Sequence, residues 1–116
     1  MPLYDFTRDK LETYRSSVVA PADFDSFWKT TLEEARGLAV EPKFEKLEYG
    51  LPLFEVYDVT FSGFGGHPIK GWFILPAQRE GKLACVVKFI GYGGGRAFPH
   101  EHLMWPSTGR AVFVMD

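Results

Sequence analysis

Ala84-Cys-Val-Val-Lys-Phe-Ile-Gly-Tyr-Gly-Gly-Gly95 is the stretch on which the fold of this chain turns. Six of its first seven residues are apolar, and Val86 and Val87 are β-branched. A short apolar run of this kind, ended by glycines, predicts a strand over 84–90 buried on both faces. Four of the next five residues are glycine (Gly91, Gly93, Gly94 and Gly95), with Tyr92 among them. Glycine tolerates positive φ and lets another group approach the main chain closely. Open α/β sheets place their ligand chemistry just past the carboxyl ends of strands. Loop N–H groups at such a place can donate to an anion or to a developing oxyanion.

Downstream, residues 98–106 contain His100-Glu-His-Leu-Met-Trp105, a short helical candidate, and Ser107-Thr-Gly109 is a turn. Ala111 to Met115 is a second wholly apolar run. Strand, crossover of about twenty residues and strand predict a parallel pair of the βαβ type. Upstream, Phe54–Phe61 and Pro68–Leu75 are rich in β-branched and aromatic residues and flank Ser62-Gly-Phe-Gly-Gly66, which predicts an antiparallel hairpin. Pro76 to Lys82 is a polar turn feeding the glycine-bounded strand, and residues 42–52 are expected to be a loop or an irregular extended segment.

The clearest helix covers 23–37, with Asp23 as N-cap and Gly37 as its terminator. Phe24, Phe27, Trp28, Leu32 and Ala35 form one apolar stripe, while Asp25, Lys29 and Glu33 step by four along the opposite side. The stripe is expected to pack on the sheet or at a subunit contact. Residues 1–22 form an N-terminal arm, with a short helix capped by Thr7 and running through Tyr14, then a linker from Ser16 to Pro21.

At 116 residues, 46% hydrophobic and 24% charged, the chain suits one small globular unit. A formal charge of -2 offers no electrostatic footprint for nucleic acid or an anionic membrane. The single cysteine, Cys85, is expected to be an inert core thiol. The first residues show no basic segment followed by an apolar one, and no apolar run approaches the roughly 20 residues of a membrane span. A cytoplasmic location is the expectation. The last strand runs straight into Asp116, so the chain is expected to be the opening part of a larger α/β domain.

The glycine cluster lacks the third glycine of G-x-G-x-x-G, because Arg96 or Phe98 stands there, and no Gly-Lys-Ser/Thr follows it. It remains an oxyanion-hole loop of the α/β-hydrolase kind, an anion-binding loop, or a plain turn. His100 and His102 flank Glu101 without a third ligand nearby, which favours hydrogen-bonding histidines over a metal site. His67 falls in the hairpin turn and is expected to be exposed. There is no G-x-S-x-G, and none of Ser16, Ser17, Ser26, Ser62 and Ser107 has the strand–elbow–helix context of a nucleophile.

Several stretches resemble the acetyl xylan esterases and cephalosporin-C deacetylases of carbohydrate esterase family 7. They are Val-Tyr-Asp-Val-Thr-Phe-Ser-Gly-Phe-Gly-Gly (56–66), Ile-Lys-Gly-Trp (69–72), Ile-Gly-Tyr-Gly-Gly-Gly-Arg (90–96), Pro-His-Glu (99–101), Trp-Pro (105–106) and Phe-Val-Met-Asp (113–116). Pro-Ala-Asp-Phe-Asp-Ser-Phe-Trp (21–28) resembles the family's first long helix. The resemblance implies an α/β-hydrolase fold, of which residues 1–116 are the N-terminal part, and a Ser-His-Asp mechanism that deacetylates xylo-oligosaccharides or cephalosporin C. It implies no cofactor, a small acetylated substrate, and a cytoplasmic homohexamer. The family's oxyanion-hole tyrosine falls on Tyr92, with Gly91 and Gly93 beside the substrate and the Tyr92 ring lining the acyl pocket. Gly93 stands where the family often has Asn. The Thr-Arg-Gly-Gln-Gly and serine elbow that follow Met-Asp in the family are not among these residues, so the chain is expected to need the remainder of the domain. The alternative is a non-catalytic fragment or a carbohydrate- or protein-binding module.

Overall fold

The computed structural model describes residues 5–38 and 41–116, so the first four residues of the N-terminal arm lie outside the described residues. The chain divides into one unit ending at Thr31 and another running from Leu32 to Asp116.

In the first unit, α1 (Arg8–Thr13) starts after Thr7, as expected. Thr7 caps only through its backbone, its carbonyl accepting the Leu11 N–H at 2.9 Å while its hydroxyl makes no capping bond. Residues 14–21 carry no regular structure. The boundary between the units falls within α2 (Phe24–Gly37), which starts after Asp23, the Asp23 carbonyl accepting the Phe27 N–H at 2.8 Å. Gly37 is its last helical residue rather than the one beyond. No α2 residue is buried, so of the two expectations for the apolar stripe, burial within this chain is not met. The Trp28 ring meets Phe27 and Phe24 edge-on, with centroids 5.5 and 6.3 Å apart, and all three stay about half exposed.

The second unit is a five-stranded mixed sheet in the order β1-β2-β3-β5-β4. Its strands are β1 (Lys43–Leu47), β2 (Phe54–Ser62), β3 (Pro68–Pro76), β4 (Cys85–Lys88) and β5 (Ala111–Met115). The expected hairpin is present, with β2 and β3 antiparallel from Phe54↔Pro76 to Ser62↔Pro68. Its turn closes with Gly63 donating to the His67 carbonyl at 2.8 Å, and His67 is exposed. The expected parallel pair is β4 and β5, in register from Cys85↔Ala111 to Lys88↔Val114. The crossover between them holds two short 3₁₀ turns, Pro99–His102 and Pro106–Thr108, each opened by a proline that needs no donor there. With few helices and a mixed sheet, the architecture is the α/β arrangement the sequence predicted.

Two expectations are corrected. Residues 43–47 form a regular, paired strand rather than a loop or an irregular extended segment. β1 pairs antiparallel with the outer side of β2, and its residues are mostly exposed, so it is a charged edge strand with no long apolar run to announce it. The strand read over 84–90 is shorter and is not buried on both faces. β4 stands at the other edge with β5 as its one neighbour, and Val87 and Phe89 are 49% and 78% exposed. Cys85 is likewise exposed rather than in the core.

Cross-strand register explains the core. Val56, Ile74 and Val112 pair in a row on one face, with Val114 opposite Trp72, and all four valine and isoleucine side chains are fully buried. Leu103 and Trp105 of the crossover, with Tyr49, Leu51, Phe54 and Ile90, pack against this row. On the opposite face Phe44, Val59, Phe61, Phe73 and Phe113 line an apolar hollow of about 410 Å³.

Candidate active-site loop

The glycine loop leaves the end of β4 and closes a tight turn, with Gly94 donating to the Gly91 carbonyl at 3.0 Å. Tyr92 and Gly93 are its two central residues. Gly93 has φ +77°, the left-handed value that the third position of a type II turn demands. Gly94 is held close, because a Cβ there would lie 2.7 Å from the Ile90 methyl. Among the described residues, no carbonyl or side chain accepts the Tyr92 or Gly93 N–H. The Tyr92 ring is fully exposed. The loop therefore offers adjacent open amides at the carboxyl end of a parallel strand, the position that α/β sheets use for ligands.

Past Gly95 the chain is pinned through the N–H, the carbonyl and the guanidinium of Arg96. Its N–H donates to Asp116 Oδ1 at 3.0 Å, and its carbonyl lies 2.9 Å from His102 Nε2. Its guanidinium donates to both Asp58 carboxylate oxygens, at 2.9 and 3.4 Å, and to the Gly71 carbonyl at 3.1 Å. The same group lies 3.6 Å from the centroid of the Trp72 ring, a cation–π contact worth about 0.5–2 kcal/mol. The Trp72 indole N–H then donates to the Ala97 carbonyl at 3.0 Å. Ala97 has φ +50°, an unusual value for a residue with a Cβ.

His102 has a fixed tautomer. A carbonyl only accepts, so Nε2 carries the proton toward Arg96, and Nδ1 accepts from Lys88 Nζ at 2.9 Å. His100 Nδ1 meets the Tyr49 hydroxyl at 3.0 Å, and the Glu101 carboxylate accepts the Phe98 N–H at 3.0 Å. Both histidines thus occupy the hydrogen-bonding roles expected of them. Burial pushes the Asp58 carboxyl upward, but hydrogen bonds from Arg96 and Lys70 and their charges outweigh it, leaving the carboxyl below its ordinary value. Burial raises the Cys85 thiol, against a hydrogen bond from the Phe113 backbone N–H, which disfavours the thiolate.

Of the residues singled out from sequence, Gly91, Tyr92 and Gly93 fall together on the turn. Asp58, Gly71, Trp72, Arg96 and Asp116 were missed as a group, because their separations in sequence are as large as 58 positions (Asp58 to Asp116). The available signal was Asp58, a carboxylate flanked by Tyr57 and Val59 in the middle of β2, which requires a partner once half-buried. Serine hydroxyls are engaged locally: Ser26 donates to the Asp23 carbonyl, Ser107 to that of Leu103, and Ser16 accepts from Val18.

Residues 1–116 match the family described as acetyl xylan esterase (AXE1). The acetyl esterase Axe7A of Xylanibacter ruminicola is 31% identical over 83 residues, a match covering 71% of this chain and 18% of that protein. An acetyl xylan esterase from Paenibacillus sp. R4 superposes with a TM-score of 0.84 at 31% identity, covering 96% of this chain and 36% of that one. Acetyl xylan esterase 1 from Thermoanaerobacterium sp. JW/SL YS485 does so at 0.85 and 28% identity, covering 97% and 35%. The chain spans little more than a third of these solved relatives and under a fifth of the curated one.

Proposed function

Because the chain belongs to the acetyl xylan esterase family, we propose that it supplies the amide-donor loop of a serine esterase that removes acetyl groups from acetylated xylo-oligosaccharides. The observation that carries this reading is the pair of open amides, Tyr92 and Gly93, on the turn beyond β4. As a nucleophile adds to an acetyl carbonyl, negative charge forms on the carbonyl oxygen, and fixed N–H donors stabilise that charge more than the neutral ester. Loss of one such donor typically costs about 10²–10³ in kcat. The Tyr92 ring, exposed here, forms one wall of a small acyl pocket whose other walls come from further parts of the domain. Nucleophile, base and acid come from those parts as well. Cephalosporin C is a second substrate in this reading. A homohexamer in the cytoplasm completes it.

Hydrolysis of p-nitrophenyl acetate and acetate release from acetylated xylo-oligosaccharides test the proposal. The 116-residue chain should stay at the buffer rate. Protein expressed from its uninterrupted reading frame should turn over both substrates and lose activity to a serine-directed organophosphate. Turnover by the purified 116 residues, or none by the longer product, would overturn the reading.

A further inference from the structure

We propose that Arg96 is the positioning residue of the glycine loop, clamped by Asp58, Gly71 and Trp72 so that the Tyr92 and Gly93 amides stay open. A run of four glycines in five positions has almost no side chains to order it, so its conformation must be imposed at its ends. The entry end is set by β4 pairing with β5, as far as Lys88↔Val114. The exit end has no strand to hold it. It has Arg96, whose contacts reach two strands and the end of a third: Asp58 on β2, Gly71 and Trp72 on β3, and Asp116 just past β5.

The side-chain contacts use features peculiar to arginine. The planar fork donates to a carboxylate and a carbonyl at once while its face lies on an indole, and a lysine ammonium cannot do both. The backbone beside it is strained in a telling way. Ala97 at φ +50° persists only where surrounding structure over-determines it, and the Trp72 indole bond to its carbonyl supplies that constraint. His102 removes the Arg96 carbonyl from competition by taking it as an acceptor. A Cβ at Gly95 would already sit 3.3 Å from Asp116 Oδ1, so the exit is seated closely as well as hydrogen-bonded. The clamp thus engages the main chain and both terminal guanidinium nitrogens of Arg96 and leaves the turn's central amides to a ligand.

The consequence for acyl transfer rests on the esterase reading above, whereas the ordering of the loop does not, and two measurements separate them. Amide ¹⁵N relaxation on the 116-residue chain should give order parameters near 0.85 for residues 91–95, falling below about 0.6 in R96K. W72F, which keeps a ring but loses the indole donor, should loosen the same residues and covers the case of R96K failing to fold. K46M, which breaks an ion pair elsewhere in the sheet, should leave them ordered. In the protein from the complete reading frame, R96K should lower kcat on p-nitrophenyl acetate about 10²–10³-fold with KM within about threefold. Unchanged loop order in R96K and W72F overturns the clamp. A loosened loop with unchanged kcat supports the clamp and overturns the amide-donor reading.

Discussion

Ala97 shows how a single residue reports on what surrounds it. Left-handed backbone costs an L-residue with a Cβ about 1 kcal/mol or more, and the Ala97 side chain is exposed, so no packing repays that cost. Glycine would adopt the same φ without the penalty, though it loses more freedom on folding. Ala97→Gly should therefore leave the fold intact and raise the melting temperature by about 1–3 °C. A fall of more than about 2 °C would mean that the Trp72 bond imposes no strain. None of this was legible in the chain itself. Arg96 stood out there as the residue that breaks a dinucleotide pattern and closes the 90–96 stretch of the family resemblance, with no partner suggested. Its partner Asp58 lies 38 positions away, and a pairing of that span is created by sheet register, which no local window contains.

At the scale of elements, β3 is the strand on which both faces depend. Gly71 is buried on it, and a Cβ there would fall 2.8 Å from the Phe113 ring and 2.9 Å from the Val114 carbonyl. The ring could move, but the carbonyl belongs to the β3–β5 ladder and cannot. Gly71→Ala should cost about 1–3 kcal/mol, the usual range for overpacking, measured by urea unfolding. Phe113→Ala in the same chain should restore only part of it, and full recovery would put the conflict in the ring alone. The hairpin was legible because both of its strands are dense in β-branched and aromatic residues around a glycine turn. β1 was not, because Lys43-Phe-Glu-Lys-Leu47 owes its conformation to the open edge of β2 and carries edge charges. β4 was correctly typed and wrongly buried: apolar composition reports the surroundings a strand is built for, and here one neighbour alone is present. The loop's position was legible for a related reason, since a glycine cluster after an apolar strand is a local signal. The clamp behind it was not.

For the molecule as a whole, acid sensitivity should follow Glu55 and Asp58, the two carboxyls that their partners hold below the ordinary range among the described residues. Glu55 accepts from Lys46 on β1 at 2.8 Å, from Arg79 beyond β3 at 2.6 Å, and from the Tyr57 hydroxyl at 3.1 Å. Hydrogen bonds from Lys46 and then Arg79 bring its carboxyl down to about 2, and Asp58 is shifted the same way. A carboxylate held below its unfolded value of about 4.3 makes its full contribution above roughly pH 5 and loses it as pH falls toward its folded value. The melting temperature should therefore be level near neutrality and drop between about pH 5 and 2. Glu55→Gln should lower it at pH 7 and flatten that drop, because the group that titrates is gone. Asp58→Asn should do more harm at pH 7, since it leaves the half-buried Arg96 guanidinium without its counter-charge. Lys46 is half exposed, so added salt should weaken the Glu55 contribution more than that of Asp58. Thermal melts of the three proteins from pH 7 to 2 decide the matter: if Glu55→Gln falls in parallel with the parent chain, these ion pairs are not what ties the outer strands to the sheet.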